Sequence, residues 1–479
     1  MACPYGMIYN LSAVFNLSDT IAAIITPPGN GGIAAIRISG PDSWSLAKKF
    51  FYHTKKEGEV TKPRLQEPCF QHMQALHGYI KKENKIIDEI ILLPYKALKS
   101  FTSEDVIEIF CHGGSHISSM ILDICLENGA RKAKNGEFTF RAFVNGRIDL
   151  TEAEAINEII NADNNRMVYE TSGNLTGALK EKVSSFREKI LNLITSVEST
   201  VEFPMDVPDF DKNKFIKELK EINLSFCELI KNSKEGQFLR EGIKISIVGA
   251  PNVGKSSLLN ILLGNKRAIV SQEPGTTRDT IEEKTMIDEW PVVFVDTAGV
   301  REAKNLSEPE QIGIERTKNA LLKSDIVLLL FDLSVGINDD TNRLFDLVNG
   351  KPKVLVGNKI DLLEKPFQDI KCNVQISAKY ATNIDKLKKI IIERINSFTS
   401  NHGVQNSSSV LYINQRQKEL LLQCNSSISK AIDKVQNNEP EDLISDDLKE
   451  ALSRLDEVTG RKINDEIITN IFAKFCIGK

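Results

Sequence analysis

Short apolar runs separated by polar loops mark the middle of the chain and predict buried β-strands. They are Ile243–Val248, Val292–Val295, Ile326–Phe331 and Lys353–Val356. Continuous apolar runs of this length are typical of a parallel sheet covered on both faces, whereas Ser256–Leu263 has the pattern of a helix. The middle of the chain is therefore predicted to be an α/β domain.

Amphipathic helices are predicted on both sides of that domain. Apolar residues recur every three or four positions from Thr151 until Pro204 interrupts the pattern. The same periodicity covers Ile216–Phe238 and, after a polar linker, the chain from Tyr412 to Phe475. The economical architecture is one all-α helical domain that is interrupted by the α/β domain, with its two halves packed together.

The N-terminal segment has a third pattern. Thr20–Gly40 alternates strand-like runs around a Pro-Pro-Gly turn, and further short strands follow through Phe110, which indicates an α+β domain. We therefore expect a multidomain protein with an N-terminal extension at 1–18, an α+β domain at 19–146, a first helical half at 147–237, an inserted α/β domain at 238–397 and a second helical half at 398–479.

The composition limits the possible classes of protein. The chain has 479 residues, enough for about three domains, and its formal net charge of −4 provides no overall positive field for nucleic acid. Its eight cysteines form no CxxC pair, which favours reduced thiols in a cytoplasmic protein. No apolar run reaches membrane-spanning length and the first residues lack a secretory pattern, so no stable membrane association is expected.

The segment Gly249-Ala-Pro-Asn-Val-Gly-Lys-Ser256 fits the phosphate-binding pattern GxxxxGK[ST]. It follows the first predicted strand and opens the predicted helix, so backbone N–H groups and the helix N-terminus face one anion. Lys255 can reach the β- and γ-phosphates, and Ser256 can hold magnesium. The residues expected at the phosphates are Asn252, Val253, Gly254, Lys255, Ser256 and Ser257.

Three further motifs stand at the ends of predicted strands. The first, which runs from Asp296 to Gly299, offers a carboxylate for the magnesium shell and a glycine for close approach to the γ-phosphate. The second, Asn358-Lys359-Ile360-Asp361, ends in a carboxylate that accepts two hydrogen bonds from guanine, which adenine cannot donate. The third, Ser377-Ala378-Lys379, is expected to close over the base. Together with the phosphate-binding loop, these motifs predict a Ras-like P-loop GTPase.

The residues available for hydrolysis differ from the Ras-type set. Thr277, in a Gly-Thr-Thr-Arg-Asp segment, is expected to complete the magnesium shell and to sense the γ-phosphate. Val300 stands where Ras-type enzymes carry a water-orienting glutamine, so another group must orient water, and Glu310 is the best candidate. No arginine finger is evident. The amide oxygen of Asn252 can instead bind a monovalent cation that supplies the missing positive charge.

Two segments that contain cysteine are open to more than one interpretation. Cys111 and His112 begin a Cys-His-Gly-Gly-Ser-His sequence, but it lacks the second ligand pair of a closed zinc site, and a Gly-Gly turn explains it equally well. Near the C-terminus, Cys476 is either a small buried apolar residue or a thiolate placed at an active site together with the chain terminus.

In its motifs the chain resembles the bacterial tRNA-modification GTPase family MnmE, also called TrmE. The resemblance covers residues 19–479. It rests on the phosphate-binding loop, the Gly-Thr-Thr-Arg-Asp and Asp-Thr-Ala-Gly segments, the terminal Cys-Ile-Gly-Lys, and on Phe101–Glu108, Gly136–Arg147 and Ile148–Ala155. It implies that the N-terminal domain binds a tetrahydrofolate derivative, 5-formyl- or methylene-tetrahydrofolate, and mediates homodimerisation.

The resemblance also implies roles for individual residues. Folate would be contacted by Arg37, Glu108, Arg147 and Lys479. Magnesium would be bound by Ser256 and Thr277, and potassium by Asn252, Ser271, Glu273 and Thr276. Glu310 would position the water, with Glu308 as its rival because the loop before it is longer than the family form. Cys476 takes the place of the family's tail cysteine, for which a catalytic role is open.

Members of this family work with an FAD-containing partner, MnmG (GidA), in a heterotetramer or larger complex. Using GTP hydrolysis and potassium-dependent pairing of GTPase domains, they add an aminomethyl or carboxymethylaminomethyl group to the wobble uridine of certain tRNAs. The main alternative is a ribosome-assembly GTPase that acts as an RNA-binding switch, although we find no convincing KH-type GXXG module. A membrane-associated signalling GTPase is disfavoured because no lipidation motif is present.

Overall fold

The computed structural model describes residues 15–54, 60–61, 71–83, 85–202, 211–264, 282–295, 321–363, 372–401 and 411–479. The chain divides into two compact units. The first unit combines 1–158, 174–217 and 426–479, and the second combines 159–173 and 218–425. Each unit is therefore built from segments that are far apart in the sequence.

An eight-stranded sheet forms the N-terminal part of the first unit. Strands β1 to β8 are Ile21–Ile24, Ile33–Ser39, Phe51–Thr54, Val60–Thr61, Leu76–Lys82, Lys85–Tyr95, Val106–His112 and Arg131–Lys132. Helices α1 to α3 are Ser43–Phe50, Ser115–Glu127 and Glu137–Val144. The strand order is β4-β3-β5-β6-β7-β2-β1-β8, and the β1–β8 pair is parallel while the other pairs are antiparallel.

The alternation of side chains along the strands gives this sheet one covered face. Successive residues of a strand point to opposite faces. In β7, Ile107 and Ile109 are fully buried in a core that α1 and α2 share, whereas Glu108 and Phe110 point to the other side and are only partly buried. The α+β pattern predicted from the sequence is confirmed, and the open face carries Glu108 next to its strand partner Arg37.

Four helices follow the sheet. Helices α4 to α7 are Leu150–Ile160, Asn165–Leu175, Ala178–Glu202 and Lys212–Glu241. A reciprocal capping box begins α4, because Asp149 Oδ1 accepts from the N–H of Glu152 at 2.9 Å and Glu152 Oε2 accepts from the N–H of Asp149 at 2.7 Å. The helical periodicity that begins at Thr151 in the sequence therefore starts at a defined cap.

A six-stranded sheet forms the core of the second unit. Strands β9 to β14 are Ile243–Val248, Glu283–Ile287, Trp290–Val295, Ile326–Asp332, Lys353–Asn358 and Val374–Gln375. Helices α8 to α10 are Lys255–Leu263, Asp339–Leu347 and Ile384–Asn401. The order is β10-β11-β9-β12-β13-β14, parallel except for the β10–β11 pair. The carboxyl ends of β9, β12 and β13 therefore meet at one edge, where nucleotides bind in open α/β sheets.

The chain ends in three helices. Helices α11 to α13 are Gln415–Gln436, Glu441–Thr459 and Asp465–Phe472. Within the first unit α12 packs along α6, and Arg187 of α6 pairs with Asp456 of α12 at 2.7 Å. The helices predicted before and after the α/β domain do pack together there. Across the described part of the chain, no helix has the length and apolar character that a membrane span requires.

Candidate functional site

The phosphate-binding loop connects β9 to α8 through two residues with left-handed backbone. Asn252 has φ 61° and Gly254 has φ 99°, a region that costs little for glycine and favours asparagine among other residues. Space is also limiting, since a Cβ at Gly254 would lie 2.3 Å from the side-chain nitrogen of Asn358, and one at Gly249 would lie 2.3 Å from the carbonyl oxygen of Leu330. Both glycines of the motif are thus required by close packing.

Lys255 crosses back over this loop. Its Nζ donates to the carbonyl oxygens of Gly249 and Ala250, both at 2.9 Å. Burial lowers the pKa of the Lys255 ammonium below its ordinary value, because the charged form loses hydration. A phosphate placed in the loop would supply the negative charge that this ammonium lacks in the described structure.

Asn358 joins the phosphate-binding loop to the base-recognition segments. Its Nδ2 donates to the carbonyl of Val253 at 2.7 Å, and its Oδ1 accepts from the N–H of Ala378 at 2.8 Å. The side chain is 2% exposed, so both bonds are made away from water and are costly to break. Three segments predicted to surround one nucleotide are therefore held together by one amide.

The carboxylate expected to select guanine has a defined orientation. Asp361 lies in a 3-10 turn, Ile360–Leu362, and its Oδ1 accepts from Ser377 Oγ at 2.5 Å. Asp361 is otherwise exposed. Ser377 thus orients the carboxylate, in addition to the closing role that the sequence predicts for its segment.

Asp332 is a residue of this site that the motifs do not indicate. It ends β12 and its Oδ2 lies 2.6 Å from Nζ of Lys359, which lies two residues before Asp361. Burial acts to raise the pKa of Asp332, but the hydrogen bonds from Lys359 and Ser334 outweigh it and hold the pKa below its ordinary value. The sequence signal was an acidic residue directly after a predicted apolar strand.

The remaining predicted residues of the nucleotide site lie outside the described residues. They are Ser271, Glu273, Thr276, Thr277, Asp296, Gly299, Glu308 and Glu310. Their assignments to magnesium, potassium and water stay predictions. Ser256, Ser257 and Lys379 are described, at the start of α8 and beside Ala378.

A second site forms on the open face of the N-terminal sheet. Arg37 and Glu108 are direct partners across β2 and β7, and Nε and a terminal nitrogen of Arg37 donate to Glu108 Oε1 at 2.9 and 2.8 Å. The Arg37 guanidinium also lies 4.8 Å from the centroid of the Phe101 ring and 5.5 Å from that of Phe138. Packing on two aromatic rings and the ion pair fix this side chain in place.

Arg147 converges on the same ring. Its guanidinium lies 5.0 Å from the Phe101 centroid and donates to the Phe101 carbonyl at 2.7 Å. Burial, and then the positive charge of Arg37, lower the pKa of Arg147. Two guanidinium groups therefore stand near one ring. Glu108 pairs with Arg37, and Glu152, whose negative charge also acts on Arg147, is itself paired with Lys180 at 3.1 Å. That balance favours an anionic ligand.

The C-terminal segment docks beside this site. The N–H of Phe138 donates to the main-chain oxygen of Lys479 at 3.2 Å, and Asn135 forms a β-bridge with Ile477. Gly478 has φ 96°, and a Cβ there would lie 2.6 Å from the carbonyl oxygen of Ile24. Arg37, Glu108, Arg147 and Lys479, which the sequence resemblance groups, are thus brought to one region of the first unit. Cys476 is exposed rather than buried.

A buried charge network, missed in the sequence, supports the same region. Arg141 is fully buried and bonds to Asp19 at 2.7 Å, Glu104 at 3.2 Å and Glu137 at 3.3 Å. Arg131 also bonds to Asp19, at 2.6 Å. Nothing in the local sequence indicates this burial, because an arginine in an amphipathic helix is usually exposed.

The structure gives no support to a metal at Cys111 and His112. Cys111 Sγ lies 3.5 Å from the Ala34 carbonyl, and burial raises its pKa to about 11. His112 Nδ1 instead contacts Asp88 at 2.6 Å. Among the described residues, no group of three His, Cys, Asp or Glu side chains is arranged to hold a metal ion.

Comparison with known proteins identifies the family of the chain. A family model described as the MnmE helical domain matches residues 150–476, and one described as the GTP-binding protein TrmE N-terminus matches residues 20–147. A tRNA modification GTPase MnmE of Acetivibrio thermocellus is 38% identical over 471 residues, covering 96% of this chain and 99% of that protein. The one of Thermotoga petrophila is 37% identical over 469 residues, covering 96% and 100%, and the one of Carboxydothermus hydrogenoformans is 39% identical over 475 residues, covering 97% and 100%. Since this similarity spans nearly the whole of each relative and includes the domains on both sides of the GTPase, the chain belongs to the MnmE family of tRNA modification GTPases.

Proposed function

We propose that this tRNA-modifying GTPase uses a folate one-carbon unit to build an aminomethyl or carboxymethylaminomethyl group at C5 of the wobble uridine. An FAD-containing protein of the MnmG type would be its partner on tRNA. The observation that carries the proposal is the convergence of Arg37 and Arg147 on Phe101, beside the docked C-terminal segment. Two guanidinium groups suit the carboxylates of a folate, and the partly exposed Phe101 suits its flat ring.

Within the GTPase, Lys255 and the loop N–H groups would bind the phosphates, and Asp361 would read guanine. Magnesium would be held by Ser256, Thr277 and Asp296, and potassium by Asn252, Ser271, Glu273 and Thr276. Hydroxyl, amide, carboxylate and carbonyl oxygens suit such hard cations, which would neutralise phosphate charge. Asn252 is exposed and held at φ 61° within the loop, which leaves its amide available. Glu310, or its rival Glu308, would orient water.

We also propose a homodimer through the open face of the N-terminal sheet. Ile33 is 67% exposed and Ile91 is 48% exposed. Ile91 pairs with Phe110, which pairs in turn with Ala35, so an apolar strip crosses β6, β7 and β2. Apolar strips of this kind on a sheet face are typical of protein interfaces, and a second copy would place two of the arginine sites near one interface.

The cation proposal is tested by GTP hydrolysis in potassium and in sodium at equal ionic strength. We expect faster hydrolysis in potassium, and Asn252→Ala should abolish the difference while GDP binding persists. Equal rates for the unaltered protein in the two salts would refute the proposal.

The folate proposal is tested by calorimetric titration of the full chain with 5-formyl-tetrahydrofolate. Arg147→Ala should weaken binding, since it removes one of the two guanidinium groups near Phe101, while Lys132→Ala, an exposed lysine of the same domain, serves as a matched control. Absence of binding by the unaltered chain would remove the one-carbon role.

The reaction itself is tested by mass spectrometry of tRNA nucleosides from cells that lack the protein. Loss of the modified wobble uridine, restored by the gene, is the expected result. Unchanged modification would favour the ribosome-assembly switch, the alternative that shares the same GTPase motifs.

A further inference from the structure

The strand next to the base-recognition motif ends in a carboxylate with two distinct sets of partners. Asp332 is paired in register with Asn358 across β12 and β13. Its Oδ2 contacts Lys359 Nζ at 2.6 Å. Its Oδ1 accepts from the N–H and the hydroxyl of Ser334 at 2.9 and 2.6 Å. One oxygen thus holds a lysine of the nucleotide site, and the other holds the turn that follows β12.

We infer that Asp332 is a positioning residue for the guanine nucleotide, which acts by fixing the side chain of Lys359 beside the base. The inference rests on the proposed role of Asp361 and its neighbours in base recognition. Asp332 itself would not touch the base.

The backbone of Lys359 is held in one conformation. It has φ 66°, a left-handed geometry that residues with a Cβ avoid. Backbone hydrogen bonds hold the residues on either side of Lys359. Leu333 N–H donates to the Asn358 carbonyl at 2.9 Å, and Ile360 N–H donates to the Ile376 carbonyl at 3.1 Å. From this fixed Cα, the lysine stem reaches across to the end of β12. The Lys359 side chain remains 32% exposed while Asp332 is 11% exposed, so the stem keeps an open surface even though its ammonium is paired.

Fixing this stem before the ligand arrives has a consequence for affinity. A free lysine side chain samples many rotamers, and a ligand that packs on it must order them. An ammonium already held by Asp332 removes that ordering cost from the binding step. The contact would act on GTP and GDP alike, because it concerns the base and not the phosphates. It would therefore change affinity and leave the rate of hydrolysis at saturation unchanged.

The test is Asp332→Asn in the full chain. Asparagine keeps the shape and an oxygen for Ser334 but removes the charge that holds Lys359. We expect dissociation constants for fluorescent GDP and GTP analogues to rise about two- to tenfold, with kcat unchanged. Ser334→Ala is the matched control, because it removes the hydroxyl bond to Asp332 Oδ1 and leaves the Lys359 contact. It should bind nucleotide as the unaltered protein does.

Two further variants separate this inference from the function on which it rests. In a Lys359→Ala background, Asp332→Asn should cause no further loss of nucleotide affinity, because the lysine through which Asp332 acts is absent. An additive loss of affinity would overturn the inference. Asp361→Asn should transfer preference from GDP to xanthosine diphosphate, and failure of that transfer would refute the base-recognition assignment. If the transfer occurs while Asp332→Asn binds GDP with unaltered affinity, the assignment stands and the inference about Asp332 is wrong.

Discussion

Asp149→Asn should remove a pH dependence from the stability of the first unit. Asp149 caps α4 two residues after Arg147 and is 1% exposed. One carboxylate oxygen accepts from Thr151 and from the N–H of Glu152, but the other is buried without a hydrogen-bond partner among the described residues. Burial raises the pKa of Asp149 from 3.8 to about 6.

The sign follows from the two pKa values. Below 3.8 the carboxyl is protonated in the folded and unfolded chain alike. Between 3.8 and about 6 the unfolded chain releases the proton while the folded chain keeps it, so stability falls as pH rises. Above about pH 6 the folded chain carries the full cost of the buried, charged carboxylate. The difference between the two pKa values corresponds to about 3 kcal/mol of unfolding free energy. Asparagine keeps an oxygen for the two existing bonds, so we expect a net gain of about 1–2 kcal/mol at pH 7.5 after weaker capping is subtracted.

The chain offers a selective probe for this measurement. Of its two tryptophans, Trp44 lies in the first unit and Trp290 in the second. In a Trp290→Phe background, Trp44 fluorescence during urea unfolding therefore reports on the first unit. Unfolding free energies would be compared with and without Asp149→Asn between pH 4.5 and pH 7.5.

The difference in unfolding free energy between the two proteins should grow with pH over this range. Other titrating groups cancel in the comparison, so the growth reports on Asp149. Parallel curves of unfolding free energy against pH for the two proteins would refute the reasoning, since they would show that Asp149 does not take up a proton on folding. Asp42→Asn is the matched control. Asp42 precedes α1 but is exposed and makes no side-chain cap bond, so its replacement should leave the pH dependence unchanged.

Three other outcomes follow from the contacts. Asn358→Ala leaves the Val253 carbonyl and the Ala378 N–H unpaired, and GDP affinity should fall by about 2–4 kcal/mol, measured by fluorescence titration. Arg141→Met leaves three carboxylates without their buried partner and should destabilise the first unit by about 3–5 kcal/mol in the Trp44 assay; a change below about 1 kcal/mol would contradict the network. Deletion of residues 476–479 removes the contacts to Asn135 and Phe138. It should abolish 5-formyl-tetrahydrofolate binding in calorimetry while phosphate release from GTP persists.

The meeting of the phosphate-binding loop with the segments at Asn358 and Ser377 was predictable because each follows a strand that the sequence marks directly. The run Ile243–Val248 is a strand with the predicted bounds, and the predicted strand from Ile326 extends by one residue to Asp332. Parallel strands bring their carboxyl ends to one edge, so motifs that are distant in sequence meet without further information. Asp332 was not predicted from the sequence, because its role depends on which strand lies beside β12 and sequence periodicity does not give strand order.

The second site shows the opposite case. Nothing in the periodicity predicts that Lys479 meets Phe138, or that Arg141 is buried, since both depend on long-range packing. Only the family resemblance grouped Arg37, Glu108, Arg147 and Lys479 beforehand. Cys476, for which burial was one of two interpretations, is exposed because Phe475 and Gly478 on either side take the buried positions.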